Sequence, residues 1–402
     1  MNKSTHFFGQ SVFGQLISFL DLKQIDKIAQ KHQADYYTKK FTTSDHLISM
    51  LFACFSQCSS LREVAASMLG LKGKTRHFQL NHIPYRSTLS DANKRRSHEV
   101  FEDIYYLLLK EHTSILSDSR KTYCWENRLE IIDSSTISLF KDILDCVGRE
   151  PSNGKRKGGI KVHTQINLQS QVPKLVWFTS ARTHDRRFLE HVQLEKGKIA
   201  VFDKGYNDYK AFDEFSQNGV FFVTRQKSNA SYISIEENEI PKYVDDGVLK
   251  DEIIAVDVKD KGKCFKAIQL RRIAYWDNEN QRCFEFITNL FGMNPGHIAL
   301  IYKKRWKIEL LFKQLKQNFP LKFFLGDNEN AIKIQIWCAL IVNLLLTVIR
   351  KKVKRKWSFS NLASFCRLHL FNYIHLLKFL ENPEKDWLKE KSSQLQIEFS
   401  SG

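Results

Sequence analysis

Asp133 follows an apolar β run in RLEIIDSST, Asp203 follows another in KIAVFDKGY, and Glu309 stands in the amphipathic stretch YKKRWKIELLFKQLK. Each aspartate is expected at the end of its strand, where a buried strand delivers a side chain to the edge of a sheet. If those strands are neighbours, the two carboxylates repel each other unless a cation lies between them. Hard oxygen donors in an octahedral setting suit magnesium or manganese. With Glu309 as a third carboxylate, two metal ions can be held. One activates a water or a 3′-hydroxyl and the other stabilises the departing oxygen during in-line attack on a phosphodiester.

The stretch around Glu309 has an unusual polar side. At about 100° per residue, Tyr302, Arg305, Glu309, Lys313 and Lys316 share one stripe of a single helix, while Ile308, Leu311, Phe312 and Leu315 form an apolar face. One carboxylate among a phenol, a guanidinium and two ammonium groups suits a metal ligand beside a phosphate backbone. The alternative, a solvated charged face, needs no special explanation.

The elements that position these residues follow from the pattern. Residues 44–109 read as helices: Thr and Ser cap candidates open TTSDHLISMLFACFSQ, and Ser60 and Glu63 stand at capping-box spacing. After the loop KGKTRHFQLNHIPYR, a third helix is expected to start at Ser87 or Thr88 and run through RSHEVFEDIYYLLLKEH, carrying Lys94, Arg95 and Arg96. A basic last helix of three fits a small DNA-binding bundle, or a bundle with a solvated basic face.

From about Leu129 the period changes to alternation. GIKVHTQINL and KLVWFTSA follow as strands, with the Gly-, Pro- and Lys-rich connection GREPSNGKRKGG between the first two. A helical stretch HDRRFLEHVQLEK, the strand of KIAVFDKGY, the helix YKAFDEFSQN and the strand GVFFVTRQ complete the order of a ribonuclease-H-like α/β domain, which sets the first and fourth strands side by side. A β-strand insertion occupies about 228–290, and the Glu309 helix begins near His297. The expected domains are a helical DNA-binding region at 1–120, the catalytic domain at 121–350 and a helical C-terminal region at 351–402.

The 62 Lys and Arg against 44 Asp and Glu give a formal charge of +18, which favours a polyanionic partner. With 43% hydrophobic residues the chain is globular. Its longest apolar stretch, Ile332 to Ile349, carries Lys333, Gln335 and Asn343 and reads as a core helix rather than a membrane span. Without a signal-peptide pattern in the first twenty residues, a cytoplasmic protein with no membrane partner is expected. The eight cysteines form no Cys-x-x-Cys pair and are expected as free thiols; Cys54 and Cys58 with His46 are the alternative, a zinc site short of its fourth ligand.

DSST, DKGY and Tyr302-x2-Arg305-x3-Glu309-x6-Lys316 together resemble the DDE transposases of bacterial insertion sequences, in the family-four group marked by D-x-G-Y and Y-R-E-K. The resemblance covers nearly the whole chain. It implies a dimer that binds terminal inverted repeats of double-stranded DNA, nicks at the transposon end, passes through a hairpin and joins 3′ ends to target DNA. Asp133, Asp203 and Glu309 would bind two Mg²⁺ ions, with Mn²⁺ able to substitute, and Tyr302, Arg305 and Lys316 would hold phosphates. An aromatic of the last insertion strand would stack on the displaced base. Here that position is Phe284, where relatives have a tryptophan, with Trp276 the second candidate and a core phenylalanine the plain alternative. Lys204 and Arg225 would touch phosphates or lie on the rim, and Lys161 and His163 share a strand face, the histidine reading first as a core residue. A plain nuclease of the same fold would need the acids but not the Tyr-Arg-Lys stripe, and a DNA-binding protein that had lost catalysis would not need the acids.

Overall fold

A computed structural model describes residues 9–117, 123–138, 148–149, 157–240, 247–260, 263–321 and 323–384. Most of the GREPSNGKRKGG connection and the last residues of the chain lie outside them. The chain divides into two units, one of residues 1–117 with 314–402 and one of residues 118–313.

The first unit is helical. Its described helices are α1 (Val12–Ile17), α2 (Leu22–Lys31), α3 (Thr43–Ser56), α4 (Leu61–Leu69), α5 (Arg86–Arg95), α6 (His98–Glu111), α7 (Thr113–Leu116), α11 (Glu329–Lys352), α12 (Phe359–Leu368) and α13 (Leu376–Glu381). α11 is apolar on every side and therefore needs partners all round, which it finds in α3, α6, α7 and α12. That requirement draws residues 314–350, expected in the catalytic domain, into the helical unit. α11 is long and apolar enough to cross a membrane by composition alone, yet 94% of its apolar window is buried within the protein.

Ser60 caps α4 as expected, but Glu63 reaches back to Ser59 instead of closing the capping box on Ser60. Ser60 accepts the Glu63 N–H at 3.2 Å, and Glu63 accepts the Ser59 N–H at 2.7 Å. The single helix expected from Ser87 through His112 is two helices. Arg96 turns extended and Ser97 caps α6 by accepting the Glu99 N–H at 3.2 Å. Cys54 and Cys58 are buried thiols, and burial pushes Cys58 up to about 12.

Two buried histidines each contribute stability that is expected to be lost in acid. His46 bonds Asn93 at 2.9 Å, and burial, then the Arg96 charge, pushes its pKa down to about 3. The unfolded chain takes up this proton near pH 6.5, so stability is intact above that pH and falls below it, by about 2 kcal/mol at pH 5. His163 in the second unit, pushed by burial to about 4, acts in the same direction. Guanidinium unfolding at pH 7.5 and 5 checks this: in His46→Gln protein the loss at pH 5 is expected to shrink by about 2 kcal/mol, and an equal loss would contradict it.

The second unit is built on a ten-stranded sheet. Its strands are β1 (Leu129–Ser138), β2 (Gly148–Arg149), β3 (Lys157–Asn167), β4 (Pro173–Ser180), β5 (Ile199–Val201), β6 (Phe221–Arg225), β7 (Ile233–Glu237), β8 (Val248–Asp260), β9 (Lys263–Asp277) and β10 (Arg282–Thr288). The order is β3-β1-β5-β6-β10-β9-β8-β7, with β4 and the short β2 paired to β3. β1 and β5 are parallel neighbours, as are β5 and β6. The insertion strands continue this sheet, because β10 pairs with β6 through Phe286↔Arg225 to Thr288↔Val223.

α8 (Tyr209–Gln217) covers one face, where Phe202, Phe212 and Phe222 stack in a core shared with Ile132, Phe188 and Leu270. The helix expected at HDRRFLEHVQLEK is a 3₁₀ turn, Asp185–Glu190, that buries only Phe188 and Leu189. The helix expected to run unbroken through Tyr302 to Lys316 is also two: α9 (Pro295–Lys303) and α10 (Trp306–Asn318). At their joint Arg305, Lys307 and Ile308 bond to carbonyls three residues back, tighter than an α-helix, which interrupts the helix at Lys304–Arg305.

Candidate active centre

Parallel pairing of β1 with β5 ends at Ile131↔Val201, and Asp133 and Asp203 each stand two residues beyond it. The register therefore brings the two acids out level where the strands part. Asp133 does not end its strand, contrary to expectation: β1 continues to Ser138 because its other edge stays paired with β3, Asp133 facing Thr164. Asp203 does follow its strand and caps the 3₁₀ turn Lys204–Tyr206, accepting the Gly205 N–H at 3.2 Å.

The helix joint supplies the counter-charges. Arg305 donates to Asp133 Oδ2 at 2.7 Å and, through its other terminal nitrogen, to Glu309 one turn on. Arg225 at the end of β6 donates to Asp203 at 2.8 Å. Burial pushes the Asp133 carboxyl up to about 6; Arg305 and the Ser134 N–H pull it down, while Glu309 and Asp203 push it further up. Asp133 thus feels the charges of both other acids, Arg305 joins it to Glu309, and Arg225 holds Asp203. Burial would lower the Arg305 pKa, but Tyr302, Asp133 and Glu309 raise it on balance, so it stays charged. Arg225 and Arg305 each lie 5.7 Å from the Tyr302 ring, and each keeps a buried Nε without a hydrogen-bond partner. Donors left over in this way suit an anion with several oxygens.

Beside the acids is a cavity of about 440 Å³ whose lining includes Arg225, Tyr275, Arg282, Phe284, Phe286, Tyr302, Arg305 and Trp306. Phe284 lies under two guanidinium groups, Arg282 at 4.4 Å and Arg225 at 5.7 Å from its ring. Trp276 is not in the lining. It faces Cys283 across the β9–β10 ladder, so alternation puts it on the opposite side from Phe284, whose partner is Tyr275. Trp306, 58% exposed at the start of α10, is the aromatic that the sequence reading missed.

Known proteins are similar to this chain in sequence. A family model for the transposase DDE domain matches residues 126–345. The chain is 32% identical over 265 residues to y4zB of Sinorhizobium fredii, named as a transposase, covering 66% of this chain and 71% of that protein. The chain belongs to the DDE transposases of bacterial insertion sequences.

Its likeness to the transposase of insertion sequence element IS4SA from Synechocystis is 28% over 273 residues (65% of this chain, 71% of the other), and to that of IS231E from Bacillus thuringiensis 22% over 378 residues (78% and 74%). A piggyBac transposase synaptic complex with hairpin DNA superposes at a TM-score of 0.41 with 9% identity, covering 98% and 85% of the two chains, too slight a likeness to carry an argument. A second family model, for a domain of unknown function (DUF4372), matches residues 8–79.

Membership implies that the transposase depends on a divalent metal ion. Three carboxylates are the right donors for a hard cation. Among the described residues, however, no group of three acids, histidines or cysteines converges as a ready metal site. The centre is a carboxylate trio partly offset by two arginines, and Arg305 bridges two of its members.

The remaining residues singled out from sequence are spread more widely. Lys204 is exposed beside Asp203, Lys313 is exposed one turn after Glu309, and Lys316 is exposed two turns after it, its pKa lowered by partial burial. Lys94 and Arg95 are exposed but lie near acids, Asp327 at 3.7 Å and Asp91 at 2.6 Å. Arg96 departs from expectation: 4% exposed, it donates to the Phe41 carbonyl and to Asp35, and so is held inside the fold away from any phosphate.

His163 is a core histidine, bonded to Thr179 at 2.8 Å and stacked on Phe188. It leads to a fourth carboxylate that the sequence did not mark. Asp185 accepts the Ser134 hydroxyl at 2.8 Å, pairs with Lys161 at 3.2 Å and lies 3.8 Å from His163. It thus braces the residue next to Asp133. Asp185→Asn protein should keep its melting temperature within a few degrees yet cleave DNA about tenfold more slowly, equivalent to about 1.4 kcal/mol of misplacement. An unchanged rate would leave Asp185 a packing group only.

Proposed function

We propose that this transposase cuts at the terminal inverted repeats of its insertion sequence, excises the element by cut-and-paste through a hairpin intermediate, and joins its 3′ ends to target DNA. The observation that carries the reading is the pair of register-matched aspartates with Glu309, clasped by arginines at the rim of an aromatic cavity. Asp133, Asp203 and Glu309 would hold two Mg²⁺ ions, for which Mn²⁺ could substitute. When bound, these ions would activate the attacking water or 3′-hydroxyl and stabilise the leaving oxygen.

The protein's own groups do the rest. Arg225, Arg305 and Tyr302 grip the phosphates of the bent transposon end, with Lys204, Lys313 and Lys316 along its path. Phe284 receives a base displaced from the stack, a displacement that a tight hairpin requires. The order β4-β3-β1-β5-β6, three antiparallel strands followed by two parallel ones, supports a ribonuclease-H-like domain. Lys94 and Arg95, each beside an aspartate, add weaker DNA contacts from the helical unit. Two ends to be cut imply a homodimer on double-stranded DNA, and the enzyme works in the bacterial cytoplasm, on the nucleoid when bound.

A plain nuclease is the weaker reading, because it has no use for a cavity combining three arginines with stacked aromatics. Denaturing electrophoresis of end-labelled flanking DNA tests the choice. The expected product is a covalently closed end running at twice the strand length, which Phe284→Ala reduces at least tenfold while first-strand nicking persists. Only open ends, in wild type and variant alike, would overturn the hairpin.

A further inference from the structure

Two long segments of the helical unit, residues 64–90 and 330–380, contain no aspartate or glutamate. They meet at Tyr373: the Lys74 ammonium lies 5.8 Å from its ring and the His77 ring meets it edge-on at 6.1 Å. The loop between α4 and α5 that carries Lys72, Lys74, Arg76 and His77 is pinned rather than free. Leu71, Phe78 and Leu80 are buried, and the Phe78 ring packs on Phe13 and Phe371 at 5.4 and 6.2 Å. α1 allows this seating only because residue 14 is glycine, since a Cβ there would lie 2.5 Å from the His77 carbonyl oxygen. The segment before Tyr373 is stitched to the same helix by Val12 N–H to Asn372 O at 2.9 Å and Phe13 N–H to Leu370 O at 2.8 Å.

Lys72, Lys74, Arg76 and His77 are nevertheless exposed, and no ion pair among the described residues involves them. Three permanent positive charges are therefore held on a rigid support without acids to neutralise them, next to an aromatic ring. The basic residues at the end of α5, where sequence alone put the DNA contact, are by contrast buried or near acids.

We propose that the Lys72–His77 loop, with Tyr373 beside it, is a surface that binds the phosphate backbone of duplex DNA. It belongs to the helical unit and not to the acid-bearing centre, and it gives a role to part of the segment matched by the domain of unknown function. The inference rests on the reading that this transposase works on double-stranded DNA.

The test uses full-length protein in chelator, so that no strand is cut, and a labelled duplex bearing the sequences that flank the gene, titrated at several salt concentrations. Each phosphate contact adds about 0.9 to the slope of log affinity against log salt. Lys72→Gln/Lys74→Gln/Arg76→Gln protein, melting as wild type does, is expected to lose about 2 to 3 of that slope and more than tenfold in affinity at moderate salt. An unchanged slope and affinity would overturn the surface alone. A wild-type protein without salt-dependent affinity for the duplex would overturn the surface and the DNA reading together, and a variant that binds normally but fails to cut would move the three residues into the cleavage centre, contradicting the proposal.

Discussion

Asp133→Asn protein is expected to bind end DNA normally, cleave it at least a thousandfold more slowly, and unfold at a higher denaturant concentration than wild type in metal-free buffer. The amide keeps the size of the side chain and an oxygen to accept the Ser134 N–H, which the carboxylate accepts at 2.8 Å. It loses the charge that would hold a cation in the proposed centre, and a thousandfold is about 4 kcal/mol of transition-state stabilisation, within what metal ligation supplies. The stability gain follows from the pKa. A carboxyl raised from 3.8 to about 6 is ionised at pH 7 against its surroundings. That penalty is absent below the unfolded value and complete above the folded one, where it amounts to about 3 kcal/mol. Asn removes it, less what the orphaned Arg305 takes back. Equal cleavage rates would remove Asp133 from the chemistry; a lower unfolding midpoint would mean that Arg305 outweighs the burial of the charge.

Arg305→Ala is expected to act in the opposite direction. Its guanidinium bridges Asp133 and Glu309, and its side chain is only 14% exposed, against 16% and 32% for the two acids. Removing one partner of a buried pair costs about 3–5 kcal/mol, because it strands the other charge. For a unit of this size that lowers the melting temperature by roughly 10 °C. Millimolar Mg²⁺ should restore most of the loss, since the stranded carboxylates then have a cation, and the metal-induced rise in melting temperature should exceed that of wild type. DNA cleavage should still fall, because the phosphate grip proposed for Arg305 would be lost. A metal-induced rise no larger than in wild type would show that Arg305 and the metal do not share ligands.

The legibility of this site from sequence varied with the range of the interactions. Asp133 and Asp203 could be found because apolar β runs lead up to them, and Glu309 because its neighbours form an odd stripe. The break at Lys304–Arg305 could not, since neither glycine nor proline marks it and the stripe continues across it. Arg96 looks basic and available on its own helix; what buries it, Asp35 and the Phe41 carbonyl, lies 61 and 55 residues earlier in the chain. Asp185 brings together Ser134 and Lys161 from two strands, a meeting that only the β1–β3 register defines. Trp276 and Tyr275 differ by one residue, and only the pairing across the β9–β10 hairpin decides which of them faces the cavity.

The most direct measurement incubates wild-type and Glu309→Gln proteins, both shown to be folded, with Mg²⁺ and a DNA fragment bearing the sequences that flank the gene. Wild type is expected to cut at one defined end, while Glu309→Gln binds the same fragment with similar affinity and leaves it whole. Cutting by both proteins at equal rates, or binding by both without cutting in Mg²⁺ and in Mn²⁺, would contradict a metal-dependent centre built on Asp133, Asp203 and Glu309.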